Sequence, residues 1–132
     1  MKKTKESKLY TFDVPLYPRK LWVLIGEDYE KRISKFKRKE QILRRFPSHV
    51  DAATIGEIQD ANSYAGILIW LSDPKVITHG VIAHEALHAL DYIMFDINAS
   101  AHKYEADNEQ DCYLIEWIVD TVEDCLTKYK KK

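Results

Sequence analysis

Residues 72–96 constrain this chain most, because they read as one long helix with a broad apolar arc around which the rest must pack. Ser72-Asp73-Pro74 supplies a capping residue followed by proline at a first helical position, and the periodic stretch runs to about Asp96. The arc comprises Ile82, Ala83, Ala86, Leu87, Ala89, Leu90, Ile93 and Met94. At about 100° per residue, Val81, His84, His88, Tyr92 and Phe95 fall on the other side, which is therefore expected to line a cleft rather than open water.

The remaining elements follow from local pattern. Tyr10 to Leu16 alternates loosely up to the prolines Pro15 and Pro18, and Leu21 to Ile25 is a short apolar run closed by Gly26, which predicts a buried strand. Glu27 to Phe46 has helical spacing, many basic residues and a stop at Pro47. Ala53 to Gln59 and Tyr64 to Leu71 predict two strands, joined by the turn composition of Asp60-Ala61-Asn62-Ser63. After a polar connector from Asn98 to Lys103, a last helix is expected from about Tyr104 to Lys128. The fold class is thus α+β, a small mixed sheet packed against the 72–96 helix and a C-terminal helix. One domain is expected over 1–132, with loose ends at 1–8 and 129–132. Trp22, Trp70 and Trp117 are expected in the core.

Charge and cysteine content narrow the function classes. Twenty basic and twenty-one acidic residues nearly cancel, which disfavours a nucleic-acid binder held by a broad positive field. The basic stretch Lys31 to Arg45 reads as a solvated face. No window approaches the roughly 20 apolar residues of a membrane span, and Glu6, Lys8 and Asp13 interrupt any signal-peptide core. Cys112 and Cys125 share one expected helix at a separation of about 20 Å, too far for a disulfide, so free thiols and a cytoplasmic location are expected.

His84-Glu85-Ala86-Leu87-His88 is an HExxH pattern inside the constrained helix. Two histidines four apart stand one turn above the other, where both rings can reach one zinc ion at ~2.0–2.1 Å. Glu85 lies about 100° round from His84, placed to act as general base towards a water. A catalytic zinc needs a third protein ligand, and Asp91, Glu105, Glu109 and Glu116 are the acids at hand. Asp91 shares the histidines' helix, so it suits the orientation of a ligand better than ligation. Glu109 belongs to a polar strip with Glu105, Glu116, Asp120 and Glu123 that also reads as a plain solvated face. Tyr92, Tyr104, Tyr113, His79 and His102 are the groups available to stabilise an oxyanion, and sequence does not choose among them.

Two blocks, Val81-Ile82-Ala83-His84-Glu85-Ala86-Leu87-His88-Ala89 and Glu109 to Ile118, together with Phe12-Asp13-Val14-Pro15-Leu16-Tyr17, resemble the small zincin-like metallopeptidases of tailed bacteriophages. The resemblance implies Glu109 as third ligand, one Zn2+ per chain, a peptide or protein substrate, and hydrolysis with Glu85 as general base. It also implies a cleft bordered by an edge strand, taken as Ile67 to Leu71, that pairs with extended peptide. In larger glutamate-type relatives an acid four residues after the third ligand orients a zinc histidine. Here that position is Tyr113, so the support differs, and Asp91 or Glu105 are the remaining groups for it. A non-catalytic zincin-like binding or scaffold protein is the alternative, and oligomeric state is left open.

Overall fold

The computed structural model describes residues 5–97 and 109–131. Among them, β1 (Lys8–Asp13), β2 (Lys20–Ile25), β3 (Ala52–Gln59) and β4 (Ala65–Leu71) form one mixed sheet in the order β1-β2-β4-β3. β1 runs antiparallel to β2, β2 parallel to β4, and β3 antiparallel to β4. Short helices α1 (Glu30–Ile33) and α2 (Lys39–Arg44) lie in the connection between β2 and β3, followed later by α3 (His79–Asp96) and α4 (Glu109–Lys130). The chain is therefore α+β, as its pattern predicts.

The sheet has an apolar layer on each face, because successive strand side chains alternate between faces. Leu21, Val23, Ile25, Ile67, Ile69 and Leu71 pack with Ile82, Ala86, Leu90 and Ile93 of α3 and with Ile118, Val122 and Leu126 of α4. Trp22, Leu24, Leu68 and Trp70 pack on the other face with Ile33, Phe36, Ile42 and Phe46. Trp117 is only half-buried and meets Phe12 edge-on at 6.5 Å, whereas Trp22 and Trp70 are core residues.

Four expectations need correction. The helix expected over Glu27 to Phe46 is broken. Lys37 N–H donates to Gln59 O at 3.0 Å, Phe36 bridges to Asp60, and Arg38 takes a left-handed φ of 56°. The Phe36 ring packs edge-on to Trp22 at 4.8 Å, so tertiary packing overrides the helical spacing. The helix expected from Ser72 begins instead at His79. Pro74–Val76 form a 3-10 turn capped by Asp73, whose carboxylate accepts from Lys75 N–H at 3.0 Å, and Thr78 Oγ1 caps α3 through Val81 N–H at 3.2 Å.

The strand Ile67 to Leu71 is not an edge, since β4 lies between β2 and β3. A continuous apolar run is covered on both faces and belongs inside a sheet, and among the described residues the edges are β1 and β3. Described residues near both chain ends are also held. Ser7 is buried and donates to Asp28 O at 2.5 Å, while Tyr129 is buried and its hydroxyl donates to Glu6 O at 2.9 Å. The expected connector Asn98 to Lys103 and helix start near Tyr104 lie outside the described residues.

Among the described residues no helix is long and apolar enough to cross a membrane. Both cysteines are free, Cys112 exposed and Cys125 buried. Burial pushes the Cys125 thiol up to about 12. Because only the thiolate is nucleophilic, an alkylating reagent near neutral pH is expected to modify Cys112 and spare Cys125 until the chain is unfolded. Mass spectrometry after limited alkylation checks this, and equal labelling of both thiols in the folded protein would contradict the packing.

Candidate functional site

α3 decides the site by the way it is rotated on the sheet. Its buried positions are Ile82, Glu85, Ala86, Ala89, Leu90, Ile93 and Met94, a stripe at three- and four-residue spacing. Ala83 and Leu87, expected in the apolar arc, are exposed, and Glu85 is buried in their place. His84 and His88 stand on the outer side. Their ring nitrogens Nε2 approach to 3.2 Å, and the rings meet at 74°.

That separation has a chemical meaning. Two nitrogens 3.2 Å apart, each ~2.05 Å from one zinc ion, subtend an angle of about 103° at the metal, near the tetrahedral value. The separation of the two nitrogens is compatible with a shared zinc ion. Without a metal, the same geometry suits one neutral ring donating to the other.

Glu85 is 6% exposed, an unusual position for a carboxylate, and its partner explains it. Thr54, on β3, donates its hydroxyl to Glu85 Oε1 at 2.7 Å, and Thr54 Oγ1 also lies 3.2 Å from Glu85 O. The other carboxylate oxygen, Oε2, lies 3.9 Å from His84 Nε2. One oxygen is thus tied to the sheet while the second faces the histidine pair. Pattern reading does not find Thr54, because a single threonine in a strand carries no signal until the strand is docked on α3.

The other expected site residues are distributed as follows. Asp91 is exposed and, with Glu57, His88, Tyr92 and Phe95, lines a cleft of about 410 Å3 beside the pair. Of the side expected to line a cleft, His88, Tyr92 and Phe95 border this one, whereas Val81 and His84 do not line it. Glu109 opens α4 and is exposed, and Tyr113 stands one turn on, 65% exposed. Glu116 and Asp120 are exposed as well. The described residues bring no third His, Cys, Asp or Glu into a group with the histidine pair. Glu105, Tyr104 and His102 lie outside the described residues. His79 is exposed and contacts Glu123 of α4, away from the histidine pair.

A separate cavity of about 810 Å3 runs along β1 between Ser7, Trp22, Arg32 and Lys35, and no residue of the HExxH motif lines it. No family model, characterised protein or solved structure matches this chain.

Proposed function

We propose that the chain is a zinc-dependent metallopeptidase of the small zincin-like type. The observation that carries this reading is the His84–His88 pair with a zinc-compatible bite, beside a buried Glu85 whose free carboxylate oxygen points towards it. His84 and His88 hold the ion. Glu109, at the start of the helix packed against α3, is the third ligand that the resemblance implies, and the described residues do not group it with the histidine pair. A zinc ion in such a setting polarises a scissile carbonyl and acidifies water.

The chain's own residues do the rest. Glu85 takes a proton from the attacking water and hands it to the leaving nitrogen, and Thr54 keeps its carboxylate from turning away. Extended peptide adds to the Ala52–Ile55 part of the β3 edge, on the strand that carries Thr54, so substrate and base share one support. The free thiols suit a reducing compartment, and we place the protein in the cytoplasm on that ground.

The test is elemental mass spectrometry on tag-free protein, followed by a peptide-hydrolysis screen with and without a chelator. The expected result is about one zinc per chain and chelator-sensitive hydrolysis. Zinc bound without hydrolysis would turn the reading to a non-catalytic zincin-like binding protein, and failure to bind zinc when it is offered would overturn both.

Thr54→Val keeps shape and removes the hydroxyl. We expect it to retain zinc, to leave KM close to the native value and to lower kcat about tenfold, the order of one lost bond to a charged group. Thr54→Ser is expected to restore the rate. Unchanged kcat in Thr54→Val would remove its role in holding Glu85.

A further inference from the structure

β3 does not run straight past α3. Ile55 pairs with Leu68 and Ile58 with Gly66, three steps on one strand against two on the other, so β3 carries a bulge at Gly56 and Glu57. The bulge is locked from two sides. A Cβ on Gly56 would stand 2.2 Å from the Tyr92 ring, so that ring rests against bare backbone. On the other side Arg45 Nη1 donates to Gly56 O at 2.7 Å. Glu57, with a left-handed φ of 56°, is exposed as a result and borders the cleft next to His88.

The chemistry of that cleft is specific. At about 410 Å3 it falls in the range of small-ligand sites, roughly 300–1,000 Å3. Tyr92 and Phe95 give it aromatic walls, and Phe95 is 70% exposed, an apolar ring left open beside a histidine. Glu57 and Asp91 add carboxylates to the same lining. Arg19, Lys37, Arg38 and Arg45 line a neighbouring groove with Glu57, yet among the described residues no cation forms an ion pair with its carboxylate.

We propose that this cleft receives a lysine or arginine side chain of the peptide substrate, placing the scissile bond beside His88. Such a side chain has an apolar stem and a cationic head. The stem lies over Tyr92 and Phe95, where a cation is also attracted to the ring faces, and the head meets Glu57. An acidic side chain would be repelled by Glu57, and a purely apolar one would leave that carboxylate facing hydrocarbon. The assignment rests on the peptidase reading for its context, but the cleft's preference can be measured without turnover.

The experiment uses the full chain and blocked peptides of one length that differ at a single position, carrying lysine, arginine, norleucine or glutamate. Binding to Glu85→Gln protein is followed by NMR through the ring signals of Tyr92 and Phe95, and hydrolysis is measured in parallel with native protein. The lysine and arginine peptides are expected to bind about tenfold tighter than the glutamate peptide and to shift both rings. Glu57→Lys is expected to reverse that order. Glu57→Asn, whose side chain tolerates the left-handed backbone, is expected to abolish it even if Glu57→Lys fails to fold. Equal binding of all four peptides overturns the inference. Hydrolysis without preference removes the cleft assignment and keeps the peptidase, whereas a binding preference without hydrolysis does the reverse.

Discussion

Glu85→Gln is expected to bind zinc as the native chain does and to hydrolyse peptide about 10²–10⁴-fold more slowly, the usual contribution of a general base. The amide is nearly the same shape as the carboxylate. Its carbonyl can still accept the Thr54 hydroxyl that now meets Oε1 at 2.7 Å, so the side chain has no reason to leave its place. It cannot, however, accept a proton from water. Because Glu85 is only 6% exposed, a neutral group there also costs less desolvation than a charged one, and the variant should unfold no earlier than the native protein. Zinc content, kcat and a thermal unfolding curve on one preparation test all three statements. Retained turnover would place the base elsewhere.

Replacing His84 or His88 by alanine is expected to act on the metal alone. Both side chains are on the outer face of α3, and exposed changes of this kind usually alter stability by no more than about 0.5 kcal/mol. Alanine is also a better helix former than histidine. Loss of either ring leaves one imidazole at the pair, so zinc affinity should fall by more than the 10–100-fold typical of losing an outer partner of a ligand. The contrast shows in unfolding temperature. Zinc at a hundred times its Kd stabilises the native chain by about 2.7 kcal/mol, while either variant should unfold at one temperature with or without it. Variants that gain as much from zinc as the native protein would mean that the ion binds elsewhere.

Much of this arrangement is legible in the residues alone. The apolar runs Leu21–Ile25 and Ile67–Leu71, the turn at Asp60–Ser63 and the helix bearing His84 and His88 are local patterns, and they form as their composition predicts. What escapes is whatever depends on a distant partner. The segment from Glu27 to Phe46 has helical spacing throughout, yet Phe36 and Lys37 are drawn to Asp60 and Gln59, and the helix breaks there. Glu85 reads as a polar residue beside the ligands, and only Thr54 on another strand makes its burial tolerable. The place of Ile67–Leu71 inside the sheet had a signal. An apolar run without alternation belongs between two strands, whereas β3, with its exposed Glu57 and Gln59, reads as an edge.

The bulge at Gly56 and Glu57 has a consequence for how copies of this chain meet. An uninterrupted edge as long as β3 would offer a row of backbone donors and acceptors to any other extended strand, including the same strand of another molecule. The extra residue ends that row after Ala52–Ile55, and beyond it Arg45 and Lys37 already donate to Gly56 O and Gln59 O. A short peptide can pair with Ala52–Ile55, but a second sheet cannot continue past the break. The same irregularity that shapes the cleft thus guards the open edge against self-association into fibres.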